Sequence, residues 1–186
     1  MPLFKSNYLK NLSNKTTLNE SRIRMFSIDE EQKFDIFLSH SFLDRDEVKG
    51  LYIELTNLGY TVYVDWIIDN KLERNNVTKE TASLIRKRLK NSKSLLLAVS
   101  SNAAVSKWMP WELGFVDGNT NRCAIIPVAK DNSTLYSFKR AEYLLLYPYI
   151  DKETIMDGDE ELWVNERSDT YVLLKSWING RNPYKR

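Results

Sequence analysis

From Phe34 onward, short apolar runs alternate with segments whose apolar residues recur at helical spacing, and that alternation leaves few folds open. Phe34 to Ser39 reads as a buried strand. Val48, Leu51, Tyr52, Leu55 and Leu58 then mark a helix starting near Asp46, with Asp44 as its N-cap, Glu47 as capping-box partner and Gly59 as its stop. Tyr60 to Val64 is the second strand, followed by a charged loop from Asp65 to Asn76. Thr78 caps a helix carrying Ala82, Ile85 and Leu89, whose basic end (Arg86, Lys87, Arg88, Lys90) reads as a solvated terminus suited to the helix dipole. Ser94 to Val99 is the third strand. A helix from about Lys107 to Val116 tolerates Pro110 in its first turn and ends at Gly118 and Asn119. Cys123 to Val128 is the fourth strand, Tyr143 to Tyr147 the fifth, and Thr170 to Ile178 a closing helix. This pattern predicts an α/β, flavodoxin-like domain: a five-stranded parallel sheet in the order 2-1-3-4-5, flanked by helices.

The first 33 residues lack this pattern and are expected to form an N-terminal extension, a short helix or partly ordered arm without a strand, leaving residues 34–186 as the domain. The domain can hold few chemistries. One histidine, His40, and one cysteine, Cys123, exclude an internal disulfide and a His/Cys metal site, so no metal is required. Six glycines, none in a GxGxxG after the first strand, argue against a bound redox dinucleotide. A net charge of +2 with interspersed signs argues against a nucleic-acid binder. No apolar run reaches a membrane span, and no signal-peptide core is seen, so a cytoplasmic setting is expected. Carboxylates remain the leading candidates for chemistry.

In a 2-1-3-4-5 sheet, ligands bind beyond the carboxyl ends of the strands where the order reverses, between the first and third strands. There the rule brings together Ser39, His40, Ser41 and Asp44 from one loop with Ser101, Ser106, Trp108 and Glu112 from the other.

These two groups also carry a family resemblance. Phe34-Asp35-Ile36-Phe37-Leu38-Ser39-His40-Ser41 resembles the first box of TIR (Toll/interleukin-1 receptor) domains. Tyr63-Val64-Asp65-Trp66 resembles the second strand entering the BB loop, although the glycine and proline common in that loop are missing. Ser106-Lys107-Trp108-Met109-Pro110-Trp111-Glu112-Leu113 resembles the serine–tryptophan–cysteine–glutamate motif of enzymatic TIR domains, with Met109 in place of cysteine. Cys123 to Val128 resembles the fourth strand with its Ile-Pro pair, so the resemblance spans about Phe34 to Ile178.

The resemblance implies a catalytic Glu112 acting on NAD as substrate, not as a bound cofactor, and breaking the nicotinamide–ribose bond. It further implies the NAD-consuming component of Thoeris-type antiphage systems: a homo-oligomer that makes a cyclic or conjugated ADP-ribose signal for a separate effector protein, with a phage component as trigger. One carboxylate can suffice, because nicotinamide leaves a cationic pyridinium as a neutral molecule and needs no general acid. What needs stabilising is the oxocarbenium charge on the ribose, a task for preorganised electrostatics. Around Glu112, the candidate substrate contacts are Ser39, His40, Phe42, Asp44, Trp66, Arg74 and Trp108. Each has a plainer alternative: a turn network for Ser39 and His40, a loop anchor for Phe42, an N-cap for Asp44, core filling for Trp108; Trp111, four residues before Phe115, reads as core. Two other functions stay open. A TIR interaction module would assemble through the BB loop without catalysis. A nucleoside deoxyribosyltransferase-like enzyme would use its glutamate as a nucleophile.

Overall fold

The structure, a computed structural model, describes residues 4–18, 29, 31–69, 78–129, 142–155 and 158–186. Four parallel strands form the centre: β2 (Phe34–Ser39), β3 (Val62–Tyr63), β4 (Ser92–Val99) and β5 (Cys123–Ala129). They are apolar almost throughout, as strands covered on both faces must be. A fifth parallel strand, β6 (Tyr149–Thr154), joins β5, so the order β3-β2-β4-β5-β6 is the expected 2-1-3-4-5.

The fifth strand lies later than expected. Tyr143 to Tyr147 does not form it; Glu142–Leu146 is a 3-10 turn in which Leu144 is buried while Leu145 and Leu146 are 66% and 79% exposed. Pro148 lacks an N–H, and pairing starts at its carbonyl, which accepts from the Ile125 amide at 2.8 Å.

The sheet also continues beyond the expected edge. β7 (Glu160–Arg167), β8 (Thr170–Leu173) and β9 (Tyr184–Lys185) add antiparallel, giving eight strands along this path among the described residues instead of five. In β7, Leu162 and Val164 are buried on one face, the period-2 signal that its charged ends mask. The expected closing helix therefore starts as strand β8 and becomes helical only at Leu174–Ile178.

The N-terminal segment contains a strand, contrary to expectation. β1 (Phe4–Lys5) pairs parallel with β5, Phe4 opposite Val128, and helix α1 (Ser6–Lys15) follows. α1 packs on α2 (Arg45–Asn57) so closely that a Cβ on Gly50 would lie 2.2 Å from the Leu9 carbonyl oxygen. Ser6 and Lys10 bind Glu47 at 2.7 and 3.1 Å, and Tyr8 donates to Glu54 at 2.7 Å. The expected capping box does not form: Glu47 turns to the docked helix, the Asp44 amide donates to the Ser41 carbonyl at 3.1 Å, and the Asp44 side chain makes no cap.

The remaining helices are α3 (Asp65–Ile68), α4 (Lys79–Lys90), α5 (Trp108–Thr120) and α6 (Leu174–Ile178). Gly59, at φ +88°, ends α2 as expected. α5 runs past Gly118 and Asn119 and ends instead on left-handed Asn121 at φ 53°. Thr78 caps α4, accepting from the Thr81 amide at 3.1 Å. Arg88 is not solvated: it is 0% exposed and forks onto Asp69 through Nε and Nη2, both at 2.9 Å, while Tyr63 donates to the same carboxylate at 2.9 Å. The pair ties α4 to the end of α3. No helix among the described residues is long and apolar enough to cross a membrane.

Candidate active site

Three loop-bearing elements converge at the carboxyl end of the sheet. β2 ends in Ser39, with His40 and Ser41 following; β4 leads through Ser100 and Asn102 to α5; β3 leads into α3. Glu112, one turn into α5, points down at the end of β2, where its Oε2 accepts from the Ser39 hydroxyl at 2.6 Å. Both residues are 0% exposed. A bond this short between a hydroxyl and a buried carboxylate is of the charge-assisted kind and fixes the carboxylate's orientation. Sequence reasoning placed these two residues in facing loops; the structure brings them into direct contact.

His40 lies beside them, 2% exposed. The Trp66 indole donates to its Nε2 at 3.0 Å, and Nδ1 lies 2.9 Å from the Leu38 carbonyl. An indole N–H can only donate, so Nε2 accepts and the ring hydrogen sits on Nδ1, donating to Leu38. Asp65 Oδ1 is 3.5 Å from the same Nε2, at 3% exposure. Asp65 and Trp66 open a short helix, α3, and not the loop that was expected.

Asp44 occupies the N-cap position of α2 but makes no side-chain cap. Its carboxylate accepts from Ser100 Oγ at 2.5 Å and Asn102 Nδ2 at 2.7 Å, and it is 4% exposed. It thus laces the loop after β2 to the loop after β4, holding the two halves of the site in register. Phe42 sits in the 3-10 turn Phe42–Asp44, 56% exposed. Trp108, at the start of α5, is half-buried and meets Trp111 edge-on at 5.5 Å. Trp111 stacks with Phe115 at 6.1 Å but is 36% exposed, so it lies on the outer face of α5 and is not core, while Phe115 is half-buried against the core. Arg74 lies outside the described residues.

Sequence reasoning overlooked Arg45. Its guanidinium lies over the rings of both Phe42 and Trp66, at 5.2 and 4.5 Å from their centroids. The signal available was a basic residue one turn after an aromatic at a helix start, too common to single out. Cys123 takes no part: burial, and next the Asp117 charge, push its thiol up to about 12, so it is protonated and inert near neutrality.

An acidic residue buried at the switch point of a parallel α/β sheet, oriented by the first strand and flanked by tryptophans, defines a class of domain. Residues 36–159 match the TIR domain profile, and the chain belongs to the TIR domain family. It is 47% identical over 151 residues to a "Probable 3' cyclic ADP-D-ribose synthase ThsB'" from Bacillus cereus (strain MSX-D12), across 81% of this chain and 78% of that protein. It is 28% identical over 95 residues to a "Putative cyclic ADP-D-ribose synthase TIR2" from Cytobacillus dafuensis, across 50% of this chain and 25% of that one. Among solved structures, the TIR domain of a Toll-related receptor from Hydra magnipapillata aligns at 18% identity with a TM-score of 0.44, covering 61% of this chain and 79% of that domain.

Proposed function

We propose that this protein cleaves NAD between nicotinamide and ribose and closes the remaining ADP-ribose into a cyclic product that serves as a signal in antiphage defence. The observation that carries this reading is the buried Ser39–Glu112 pair at the switch point. In the proposed reaction the bond from the ribose anomeric carbon to the pyridinium nitrogen breaks, and its electron pair goes to nicotinamide. Glu112 stabilises the resulting oxocarbenium charge, and Ser39 holds the carboxylate aimed at it. Such fixed charge in a dry site is commonly worth about 3–4 kcal/mol per group. An oxygen or nitrogen of the same ADP-ribose then attacks the anomeric carbon and releases a proton; attack by water would give the linear product instead. The names of the two bacterial relatives, both cyclic ADP-D-ribose synthases, support cyclisation over simple hydrolysis.

Full burial of Glu112 in this conformation means that its surroundings must open before a ribose can reach it. A resting enzyme held shut is what a defence enzyme requires, with a phage component as trigger, a homo-oligomer as the working form and a separate effector protein as reader of the product. His40, Trp66 and Trp108 are proposed as walls of the nicotinamide-ribose pocket, and Asp44 as a brace for it.

The test is incubation with NAD, at high protein concentration and with infected-cell lysate, beside a folded Glu112→Gln variant. Mass spectrometry separates a cyclic product from linear ADP-ribose, which is heavier by one water. Release of nicotinamide by the wild type alone, with the lighter product, is expected. No release by the folded, assembled wild type would return the chain to the interaction-module reading. A trapped glycosyl-enzyme on Glu112 would instead make it a nucleophile.

A further inference from the structure

We infer that Arg45 binds the diphosphate of the dinucleotide at the mouth of the Glu112 site, with Phe42 and Trp66 as the platform that aims it. The inference rests on the NAD-cleaving reading above and assigns a further binding residue to that site. Three observations carry it.

The first is the state of the guanidinium. Arg45 is exposed and lies over two aromatic rings, Phe42 and Trp66. Attraction to a ring face acts through the guanidinium's charge and does not consume the five N–H donors along its edge. Among the described residues no carboxylate or other hydrogen-bond acceptor meets that edge. Arg88 and Arg122 are spent on the protein: Arg88 forks onto Asp69, and Arg122 binds the carbonyl of Gly180 and the side chain of Asn182. Arg186 also lies over rings, those of Trp163, Tyr171 and Tyr184, but at the far antiparallel edge of the sheet, away from Glu112. Two rings have thus reduced the freedom of a long surface side chain without neutralising it, which lowers the entropy cost of capturing an anion.

The second is position. Trp66 donates to His40, the neighbour of Ser39, which holds Glu112. Arg45 is therefore joined to the catalytic carboxylate by an unbroken run of contacts, and it stands on the solvent side of that run. NAD has the matching layout: the ribose whose glycosidic bond breaks carries the diphosphate on its opposite end, a few bonds away.

The third is the local field. Arg45 is the first residue of the 13-residue helix α2, and the N-cap side chain does not close that helix end, because Asp44 has turned to Ser100 and Asn102. The positive pole of the helix adds to the guanidinium charge there, against the carboxylates of the same turn: Asp44 is held by Ser100 and Asn102, Glu47 by Ser6 and Lys10, and Asp46 stands beside Arg45. Phe42 explains its own exposure in this scheme: a phenyl ring 56% open to water is retained to orient the arginine.

The experiment compares wild type, Arg45→Ala, Arg45→Lys and Phe42→Ala, with Lys79→Ala as the control for loss of one surface charge. Two readouts are used. One is KM and kcat for NAD and for nicotinamide riboside, which has the same scissile bond and no phosphate. The other is calorimetric binding of ADP-ribose, measured in a Glu112→Gln background. Arg45→Ala is expected to raise KM for NAD and weaken ADP-ribose by about 10- to 100-fold, the range for a lost charge-assisted hydrogen bond. Turnover of nicotinamide riboside should be unchanged. Arg45→Lys should recover only part of the loss, because an ammonium keeps the charge without the stacked fork, and Phe42→Ala should lose affinity without losing charge. Equal KM and equal ADP-ribose affinity in wild type and Arg45→Ala, with NAD cleaved by both, would overturn the inference and leave the NAD reading standing. Arg45-dependent ADP-ribose binding by a wild type that never cleaves NAD would do the reverse.

Discussion

The Arg88–Asp69 pair offers the sharpest test of how this fold holds its site. Arg88 is 0% exposed and Asp69 is 9% exposed, and their two parallel bonds are both 2.9 Å. The pair fixes the end of α3, the short helix that carries Trp66 to His40. Asp69→Ala strands a guanidinium with no carboxylate in a place water does not reach. Breaking a buried pair by removing one partner costs about 3–5 kcal/mol. For a chain of this length about 2–4 °C is lost per kcal/mol, so the melting temperature should fall by about 6–20 °C. Arg88→Met removes the charge and roughly conserves the volume, and the remaining Asp69 keeps the Tyr63 hydroxyl at 2.9 Å. The double variant should therefore be more stable than Asp69→Ala alone, with a coupling of about 1–3 kcal/mol by urea unfolding. Strict additivity, or a loss below about 1 kcal/mol for Asp69→Ala, would refute the claim that this charge is dry and paired.

Ser39→Ala should lower kcat for NAD cleavage by about 10- to 100-fold with little change in KM, because a charge-assisted bond worth about 1.5–3 kcal/mol orients Glu112 and not the ground-state ligand; steady-state nicotinamide release checks this, and an unchanged kcat sinks the orienting role. Gly50→Ala gains about 1 kcal/mol of helix propensity but drives a methyl into the Leu9 backbone, so α1 should undock and become cleavable by trypsin at Lys10 and Lys15; slower cleavage would show the contact to be slack. Cys123 should resist iodoacetamide at pH 8, because a thiol raised to about 12 stays protonated there, and should react fully in urea; rapid alkylation of the folded protein would contradict its burial.

The parallel centre of the sheet was legible because its strands are buried on both faces and read as unbroken apolar runs such as Ser94 to Val99. Its antiparallel extension was not, because β7 hides two core residues among glutamates, Asn165 and Arg167. The run Tyr143 to Tyr147 misled for the converse reason: an apolar segment need not be buried, and proline sets where pairing can begin. Position in the switch-point loops located Ser39, His40 and Glu112 from spacing alone. It could not separate roles within that set. Asp44 and Glu112 are both carboxylates beside the same cleft, yet Asp44 laces two loops while Glu112 faces Ser39. Arg88 and Arg45 both sit in basic or polar surroundings in the sequence, yet one is fully buried and the other stands on two aromatic rings. Local pattern determined the order of elements and which loops meet, because periodicity and topology are properties of the chain itself. Which polar side chains pair with each other, and which are left for a ligand, was decided only when distant segments packed, since a hydrogen bond across 73 residues has no local signature.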